Sequence, residues 1–266
     1  MEQKKKQTSR NTKIAILFFV FLIFIVGLSL AFKAVDVIRR SQFDDSRRFT
    51  LSIANNRNIE VMSLSPSLGN IVIFKLSDNF SSAEAGHLLK IPIDGQIFSK
   101  SQDLNKKTDS LFVDAILNYK NIQTDLTIID LLKLAIFART IPENAVDIKM
   151  VENKEGLDVE KTVGRLVIDN FIEKDFQTIQ VVNGTEVNGL GNRLAKLITN
   201  MGGNVILVMT EDKPRKKSVI TYIDKKTYTV ERLQEVLGYE AVKEPSNAIS
   251  DITVIIGQDK LETIPF

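Results

Sequence analysis

The first hydrophobic segment of the chain runs from Ile14 to Phe32, 19 residues without a charge. As an α-helix it would extend about 28 Å, which matches the roughly 30 Å hydrocarbon layer of a bilayer. Basic residues predominate over 1–13, and this bias favours an N-terminus on the cytoplasmic side. We therefore predict a cytoplasmic tail over 1–13, a single transmembrane helix over 14–32 and an extracytoplasmic remainder in a bacterial membrane.

A cleaved signal peptide is the alternative interpretation of this segment, because Ser29 and Ala31 form a small-x-small pair. The apolar run is longer than the about 7 to 15 residues of a typical signal core, and no helix breaker marks a cleavage region. A retained anchor is therefore favoured. Both interpretations export the rest of the chain.

Residues 33–48 are charged and lack a sustained apolar face, which is typical of a juxtamembrane stalk. β-Branched and aromatic residues are then concentrated at 49–54, 59–64 and 71–76, which are predicted strands. Turn residues at 66–70 join the last two strands into a hairpin.

Residues 77–107 are polar and irregular, and we predict a long loop there. The loop carries Asp78, His87 and Asp94, and its two carboxylates could bind a divalent cation such as magnesium. Two acids on a loop are more often solvated surface, so we predict no metal site. The same interpretation applies to His87.

Helical spacing returns in the rest of the middle segment. One helix is predicted from near Thr108, and a second, over 127–139, is too short and too charged to cross a bilayer and is predicted to be a buried core helix. Alternation at 146–150 predicts a strand, and a further helix is predicted from near Asp158. Residues 49–175 are thus predicted to form a mixed α/β domain.

The pattern is clearest over 176–260, where strand and helix signals follow in the order βαββαβ. Gly202, Gly203 and Gly238 are placed to cap the two helices at their C-termini. This order is typical of a ferredoxin-like two-layer sandwich, in which two helices cover one face of a four-stranded sheet. The fold class predicted for the whole chain is α/β (α+β).

Composition excludes several kinds of chemistry. The 35 basic and 33 acidic residues give a net charge of only +2, with much of the basic excess near the N-terminus. A nucleic-acid partner is therefore disfavoured. The chain has no cysteine and one histidine, which disfavours disulfides, thiolate or multi-histidine metal centres and a Ser-His-Asp device. We predict no cofactor.

Three features of the C-terminal segment carry a resemblance: the strand and turn at 182–185, the helix start at Gly189-Leu190, and the closing strand with Gly257. Over 176–260 the chain resembles the C-terminal domain attached to LytR-CpsA-Psr cell-envelope proteins. The resemblance implies an anchored bacterial envelope protein, in a family associated with attaching glycopolymers to peptidoglycan. For the domain itself it implies a ligand-binding or protein-docking role.

The hairpin segment at 58–80 is similar to the hairpin that leads into the active-site strand of the family's catalytic domain. That domain carries an arginine–aspartate pair that holds a lipid-linked pyrophosphate. Here the comparable residues are Lys75-Leu76-Ser77-Asp78, without the arginine, and the segment is shorter than the catalytic domain. We therefore predict a degenerate, inactive relative over 49–175, with no catalytic residue.

Two groups of residues are candidate ligand sites in the C-terminal segment. The first is a turn that could present backbone amides to a carboxylate or phosphate, and the second is a basic loop that could meet anionic wall polymer or lipid headgroups. The alternatives are a tight structural turn and a solvated loop tip. The residues are Asn183, Gly184 and Thr185 in the turn, and Lys213, Arg215, Lys216 and Lys217 in the loop.

The function predicted from the sequence is that of a membrane-anchored cell-envelope protein, a non-catalytic binding or accessory module in cell-wall or glycopolymer assembly. Its expected partners are the membrane, peptidoglycan or an anionic wall glycopolymer, and other envelope proteins. One alternative is an active magnesium-dependent phosphotransferase that uses Asp78 or Asp94 to attach lipid-linked glycopolymers to peptidoglycan. Another is a structural subunit of an envelope complex.

Overall fold

The computed structural model of the chain describes residues 2–76, 81–100, 103–151, 163–244 and 249–263. The chain begins with α1, Glu2–Arg39, a helix of 38 residues. The part from Ile16 to Arg39 is long and apolar enough to cross a membrane, with a mean hydropathy of 2.7 in its most apolar stretch and no buried residue there. The predicted hydrophobic helix is therefore present and continues beyond Phe32.

The predicted stalk, 33–48, is divided between two structures. Residues 33–39 complete α1, and the following residues pack against the middle domain. Phe43 is buried in the core of that domain, with its ring centroid 5.4 Å from that of Phe49 in an edge-on contact. α1 is therefore connected to the domain by very few free residues.

The middle domain is built on a six-stranded sheet. Its strands are β1 (Phe49–Ala54), β2 (Ile59–Ser65), β3 (Asn70–Leu76), β4 (Gly95–Phe98), β5 (Gln123–Thr124) and β6 (Val146–Val151). They lie in the order β5-β4-β1-β2-β3-β6. β1, β2 and β3 form an antiparallel meander, while β4 and β6 pair parallel with β1 and β3.

Helices cover both faces of this sheet. α3 (Thr108–Leu117) and α4 (Ile128–Thr140) pack on one face, against the apolar side chains of the strands. α2 (Ser82–Leu89) and residues 163–166 pack on the opposite face. The three central strands are therefore buried on both sides, which explains their nearly continuous apolar sequence.

The prediction of one long loop over 77–107 is wrong, because α2 and β4 lie within it. α2 begins with a capping box, in which the Ser81 hydroxyl accepts from the Glu84 N–H and the Glu84 carboxylate accepts from the Ser81 N–H. β4 is short and pairs with β1, a strand distant in sequence. A local pattern does not reveal such a pairing.

The helix predicted from near Asp158 is partly outside the described residues, which omit 152–162. Residues 163–166 are helical, the helix stops before Ile168, and a separate short helix, α5, begins at Asn170. The Asp169 side chain caps α5 by accepting from the Phe171 N–H. Two helices, separated by the capping residue Asp169, thus replace the single helix that the apolar spacing predicted.

The C-terminal domain contains β7 (Thr178–Asn183), α6 (Leu190–Asn200), β8 (Asn204–Thr210), β9 (Val219–Tyr222), α7 (Tyr228–Leu237), β10 (Glu240–Lys243) and β11 (Ile252–Ile256). Both helices share one apolar cluster with the buried face of the sheet, so the predicted two-layer α/β sandwich is present. Gly238 caps α7 in the left-handed conformation, with φ 64°.

The sheet differs from the predicted ferredoxin-like arrangement in strand number and order. It has five strands in the order β10-β9-β11-β7-β8, because the short β10 adds to the edge. The strands joined by each helix, β7 with β8 and β9 with β10, lie side by side and parallel. In the ferredoxin-like arrangement another strand separates such pairs.

Candidate functional site

A pocket of about 470 Å³ opens between the six-stranded sheet and the helices α3 and α4. Its volume falls within the roughly 300–1,000 Å³ of small-molecule sites. Polar and apolar residues line it in about equal shares, and the apolar ones include Met62, Ile73, Leu104, Leu111, Ala138, Ile141, Val146 and Ile148. We refer to it below as the sheet–helix pocket.

A charged pair lies on the sheet side of this pocket. Glu60 on β2 and Lys75 on β3 are directly opposite each other, with 2.8 Å between Lys75 Nζ and Glu60 Oε1. Burial raises the pKa of Glu60, and the neighbouring Lys75 offsets part of this rise. Lys75 is thus held in the pocket, whereas Asp78, from the same motif, lies outside the described residues.

The mouth of the pocket carries more cations than its wall. Lys107 donates to the Glu143 carboxylate at 2.8 Å, but both side chains are more than three-quarters exposed and the pair contributes little to stability. Arg139 pairs with no carboxylate among the residues that the structure describes. Lys106 is likewise paired with Asp114, and Asp109 adds a further carboxylate to the lining. Arg139 is thus the cation of the mouth that remains to bind the head of an amphipathic anion, beside the apolar part of the lining.

Asp94, one of the two acids considered for magnesium, lies instead at the contact between the two domains. Its Oδ1 accepts from Arg232 of α7 at 2.6 Å, and its Oδ2 accepts from the Thr50 N–H at 2.8 Å. The side chains of Arg232 and Asp94 are only 4% and 9% exposed. Both carboxylate oxygens of Asp94 are therefore occupied within the protein.

Further polar contacts extend this domain interface. Arg47 forms a bidentate pair with Glu235 of α7, and Glu235 also accepts from Arg232 at 3.1 Å. Asn200, at the end of α6, donates to the Lys90 carbonyl at 2.9 Å. Burial alone would lower the pKa of Arg232, but Asp94 and Glu235 outweigh it and raise the pKa. The interface thus holds a charged arginine.

His87 is exposed on α2. Within the described ranges, no cluster of three or more histidine, aspartate or glutamate side chains is arranged to hold a metal ion. Asp94 and His87 therefore do not meet at a common site, and Asp94 is held by an arginine.

The turn Asn183-Gly184-Thr185 is closely bonded to itself and to its neighbours. Asn183 Oδ1 accepts from the Thr185 N–H and hydroxyl, and Asn183 Nδ2 donates to the Val187 carbonyl. The Gly184 N–H donates to the Ile256 carbonyl. The polar groups that were considered for an anion are therefore engaged in folding the turn.

The basic loop lies against this turn, so the structure brings the two candidate groups together. The Arg215 N–H donates to the Gly184 carbonyl, and a Cβ on Gly184 would lie 2.7 Å from the Arg215 side chain. The Arg215 guanidinium binds Glu211 in a bidentate pair at 2.6 and 2.8 Å. The other three cations of the loop are exposed: Lys213, Lys216 and Lys217.

Gly257 fixes the position of this loop, and its replacement by alanine tests the contact. A Cβ at Gly257 would lie 2.3 Å from the Lys217 carbonyl carbon. We expect G257A to lower the free energy of unfolding by about 3 kcal/mol, since backbone cannot move aside cheaply. Urea unfolding followed by circular dichroism measures the effect.

The matched control is Gly69→Ala, where φ is +64° but no atom lies within 4 Å of the added Cβ. In this variant only backbone strain lowers the free energy of unfolding, by about 1 kcal/mol. Equal losses for the two glycines would contradict the close contact at Gly257.

The sequence did not indicate the positions of three arginines: Arg232 and Arg47 lie at the domain interface, and Arg139 lies at the sheet–helix pocket. No local sequence pattern indicates these ion pairs, because the partners of Arg232 and Arg47 are 138 and 188 residues away in the sequence. Only the fold brings such charges together.

The C-terminal domain is a two-layer α/β domain, with two helices on one face of a five-stranded sheet. Residues 177–259 match the family model described as LytR cell envelope-related transcriptional attenuator, so the predicted LytR-type C-terminal domain is confirmed. This domain suggests a role associated with the cell envelope. No curated protein matches the chain.

Similar solved structures include the transcriptional regulator yvhJ from Bacillus subtilis, with 10% identity and a TM-score of 0.32, covering 41% of this chain and 84% of that one. The Lin1025 protein from Listeria innocua has 12% identity and a TM-score of 0.28, covering 41% and 84%. The putative transcriptional factor Lmo1026 from Listeria monocytogenes has 10% identity and a TM-score of 0.27, covering 44% and 82%. TM-scores of this size do not establish a common fold.

Proposed function

We propose that the protein is a non-catalytic binding or accessory module of the bacterial cell envelope. α1 anchors it in the cytoplasmic membrane with the N-terminus in the cytoplasm, and both folded domains face the wall. The C-terminal domain binds peptidoglycan or an anionic wall glycopolymer. The LytR-type domain and the apolar helix α1 support the compartment of this proposal.

The observation that carries the non-catalytic part is the position of Asp94. A magnesium ion at this carboxylate would have to displace Arg232 and the Thr50 N–H, and it would leave an arginine buried without its partner. That cost is of the order of several kcal/mol. Asp94 thus serves to hold two domains together.

The exposed lysines of the basic loop, Lys213, Lys216 and Lys217, are the contact we propose for an anionic polymer. Arg215 is paired with Glu211 and covers Gly184, so it is a structural member of the loop. The backbone that carries the three lysines is fixed by hydrogen bonds to the turn and to Gln258, so binding of a polyanion orders the lysine side chains but costs little backbone entropy.

Retention on isolated cell walls tests this contact. The full chain in detergent is compared with a variant carrying K213Q, K216Q and K217Q, at low and at high salt. We expect retention at low salt to fall about tenfold in the variant, and the difference to shrink at high salt through screening.

The matched control removes three exposed cations elsewhere in the same domain: Lys225, Lys226 and Lys243. Both variants lose the same net charge. If both lose retention equally, the attraction has no defined site; if neither does, the basic loop does not bind the wall.

The sheet–helix pocket favours a second candidate function, that of a phosphotransferase acting on a lipid-linked glycopolymer. The apolar part of its lining and its cations at Lys75 and Arg139 suit a ligand with an anionic head and an apolar tail. The acid for magnesium would then be Asp78. Transfer of glycan to peptidoglycan by the purified protein would favour this candidate over the binding module.

A further inference from the structure

The layer formed by α3 and α4 has an apolar outer surface. Ile128, Leu132 and Ile136 follow one another at intervals of four residues along α4, and they are 46%, 51% and 57% exposed. On the adjacent α3, Val113 and Leu117 are 44% and 76% exposed, again four residues apart. We refer to these five side chains as the outer patch.

This surface is not required by the core, because α3 and α4 bury a separate set of apolar side chains against the sheet. A helix of a soluble domain normally turns polar residues to solvent. Contiguous exposed apolar residues mark a surface that is covered by a membrane or by another protein.

The N-terminus of α4 is joined closely to the end of α1. Asp130 on α4 accepts three hydrogen bonds at Oδ1, from the Ser41 hydroxyl and from the N–H groups of Gln42 and Phe43, at 2.7, 2.8 and 2.9 Å. α1 ends at Arg39. No flexible linker therefore separates the apolar helix from α4.

The length of α1 places this junction at the bilayer surface. The uncharged run ends at Phe32, and the seven residues from 33 to 39 rise only about 10 Å in a helix. The headgroup region is about 5 to 8 Å deep on each side, so α1 ends within about 2 to 5 Å of its outer limit. Lys33 lies at the hydrocarbon edge, and Arg39 and Arg40 lie at the level of the junction.

Resting on the proposed anchor, we propose that the outer patch docks onto the surface of the bilayer that α1 crosses. The apolar side chains of α4 and α3 enter the headgroup–acyl boundary, as those of an interfacial amphipathic helix do. A weak affinity suffices, because the covalent connection through Ser41 keeps the patch at a high effective concentration next to the lipid. The middle domain then lies against the membrane.

A second group of exposed apolar residues lies in the other domain. Ile206, Val208 and Met209 on the edge strand β8 are 44%, 36% and 41% exposed, but they belong to the C-terminal domain and not to the helical layer next to α1. They provide an internal control, because a general affinity of exposed apolar residues for lipid would involve them too.

Fluorescent labels at single introduced cysteines test the proposal without background, since the natural chain has no cysteine. The full chain is reconstituted in liposomes of equal parts phosphatidylglycerol and phosphatidylcholine, with nitroxide-bearing lipids as quenchers. The labelled variants are Leu132→Cys in the outer patch, Ile206→Cys on β8 and Phe24→Cys in α1. All three positions are exposed, so the substitutions spare the core.

We expect the label at position 132 to lose about half of its fluorescence to a nitroxide placed high in the acyl chain, and the label at position 206 to lose none. Quenching at 24 but not at 132 would overturn the docking while leaving the anchor intact. A blue shift at 132 without quenching would show that protein covers the patch, which also overturns the proposal. Position 24 lies near the bilayer centre and is read with a nitroxide deep in the acyl chain; absence of quenching there would overturn the anchor and the docking together.

Discussion

Replacing Arg232 by methionine is expected to lower the free energy of unfolding by about 3–5 kcal/mol, because it leaves a buried carboxylate without its counter-ion. Arg232 and Asp94 are only 4% and 9% exposed, so water cannot take the place of the lost partner. Methionine fills a similar volume with an apolar chain. Urea unfolding in detergent, followed by circular dichroism, measures the loss.

The loss in R232M also depends on pH. Burial raises the pKa of Asp94 even beside Arg232, which offsets part of this rise, so the removal of Arg232 raises the pKa further. A group with a raised pKa in the folded state contributes stability at low pH and loses it as pH rises through the folded pKa. R232M is therefore expected to be less destabilised at pH 5 than at pH 8.

Two further variants complete this test. Adding D94N to R232M removes the unpaired charge while keeping an acceptor for the Thr50 N–H, and part of the lost stability should return. Lys107→Met breaks the exposed pair with Glu143 and should cost less than about 1 kcal/mol. Equal costs for the Arg232 and Lys107 variants would contradict the buried interface.

The second large effect is expected at Asp130, where asparagine should cost about 3 kcal/mol. Asp130 is fully buried and accepts five hydrogen bonds, three at Oδ1 and two at Oδ2 from the Thr127 N–H and hydroxyl. Asparagine replaces one of the two carboxylate oxygens by an NH₂ group, which cannot accept a hydrogen bond from the donors that face it. At least one buried backbone N–H then loses its acceptor, at about 1–3 kcal/mol each.

The effect of D130N should disappear in acid. Burial alone would raise the pKa of Asp130, but the hydrogen bonds from Ser41, Phe43 and Thr127 outweigh it and lower the pKa. A lowered pKa gives stability that is present above the unfolded value and lost as pH falls through the folded value. The difference between wild type and D130N should therefore begin to shrink below about pH 4 and should vanish only below the lowered folded-state pKa of Asp130.

The control for D130N is Asp125→Asn, which removes the same charge at an exposed position just before α4. The Asp125 carboxylate accepts from the Gln96 N–H at 2.7 Å, and asparagine retains an oxygen for this bond. We expect a loss below about 1 kcal/mol. Thermal unfolding of both variants in one buffer shows whether the loss belongs to the hydrogen bonds or only to the charge.

Much of the fold could be predicted from the sequence because its signals are local. The alternation and apolar runs at 49–54 and 71–76 gave β1 and β3 nearly to the residue, and Thr127 marked the start of α4. The glycine at 238 marked the end of α7. These features depend on side-chain spacing and backbone conformation alone.

The parts that could not be predicted depend on contacts between distant residues. β10 has four residues and exists because Glu240–Lys243 finds β9 as a partner. Asp94 was considered as a metal ligand because it lies with Asp78 and His87 in a segment predicted to be a polar loop, whereas its partner Arg232 lies 138 residues away. Asp130 lies on a helix whose sequence is mostly apolar, and its role in holding Ser41 to Phe43 depends on the fold.

The sheet–helix pocket illustrates the same limit in a functional site. Glu60 and Lys75 can be placed opposite each other once the hairpin is recognised. The distance from this pair to Arg139 depends on how α4 packs, which no local pattern specifies. The pocket was raised only as a requirement of the catalytic alternative.

The central claim is that the chain binds envelope polymer without chemical turnover. Its most direct test reconstitutes the full chain in liposomes with a radiolabelled lipid-linked glycopolymer, isolated peptidoglycan and Mg²⁺. The account predicts that the protein sediments with the peptidoglycan while no label is transferred to it. Magnesium-dependent transfer of label that is lost in D78N would contradict the account and assign the chain a catalytic function.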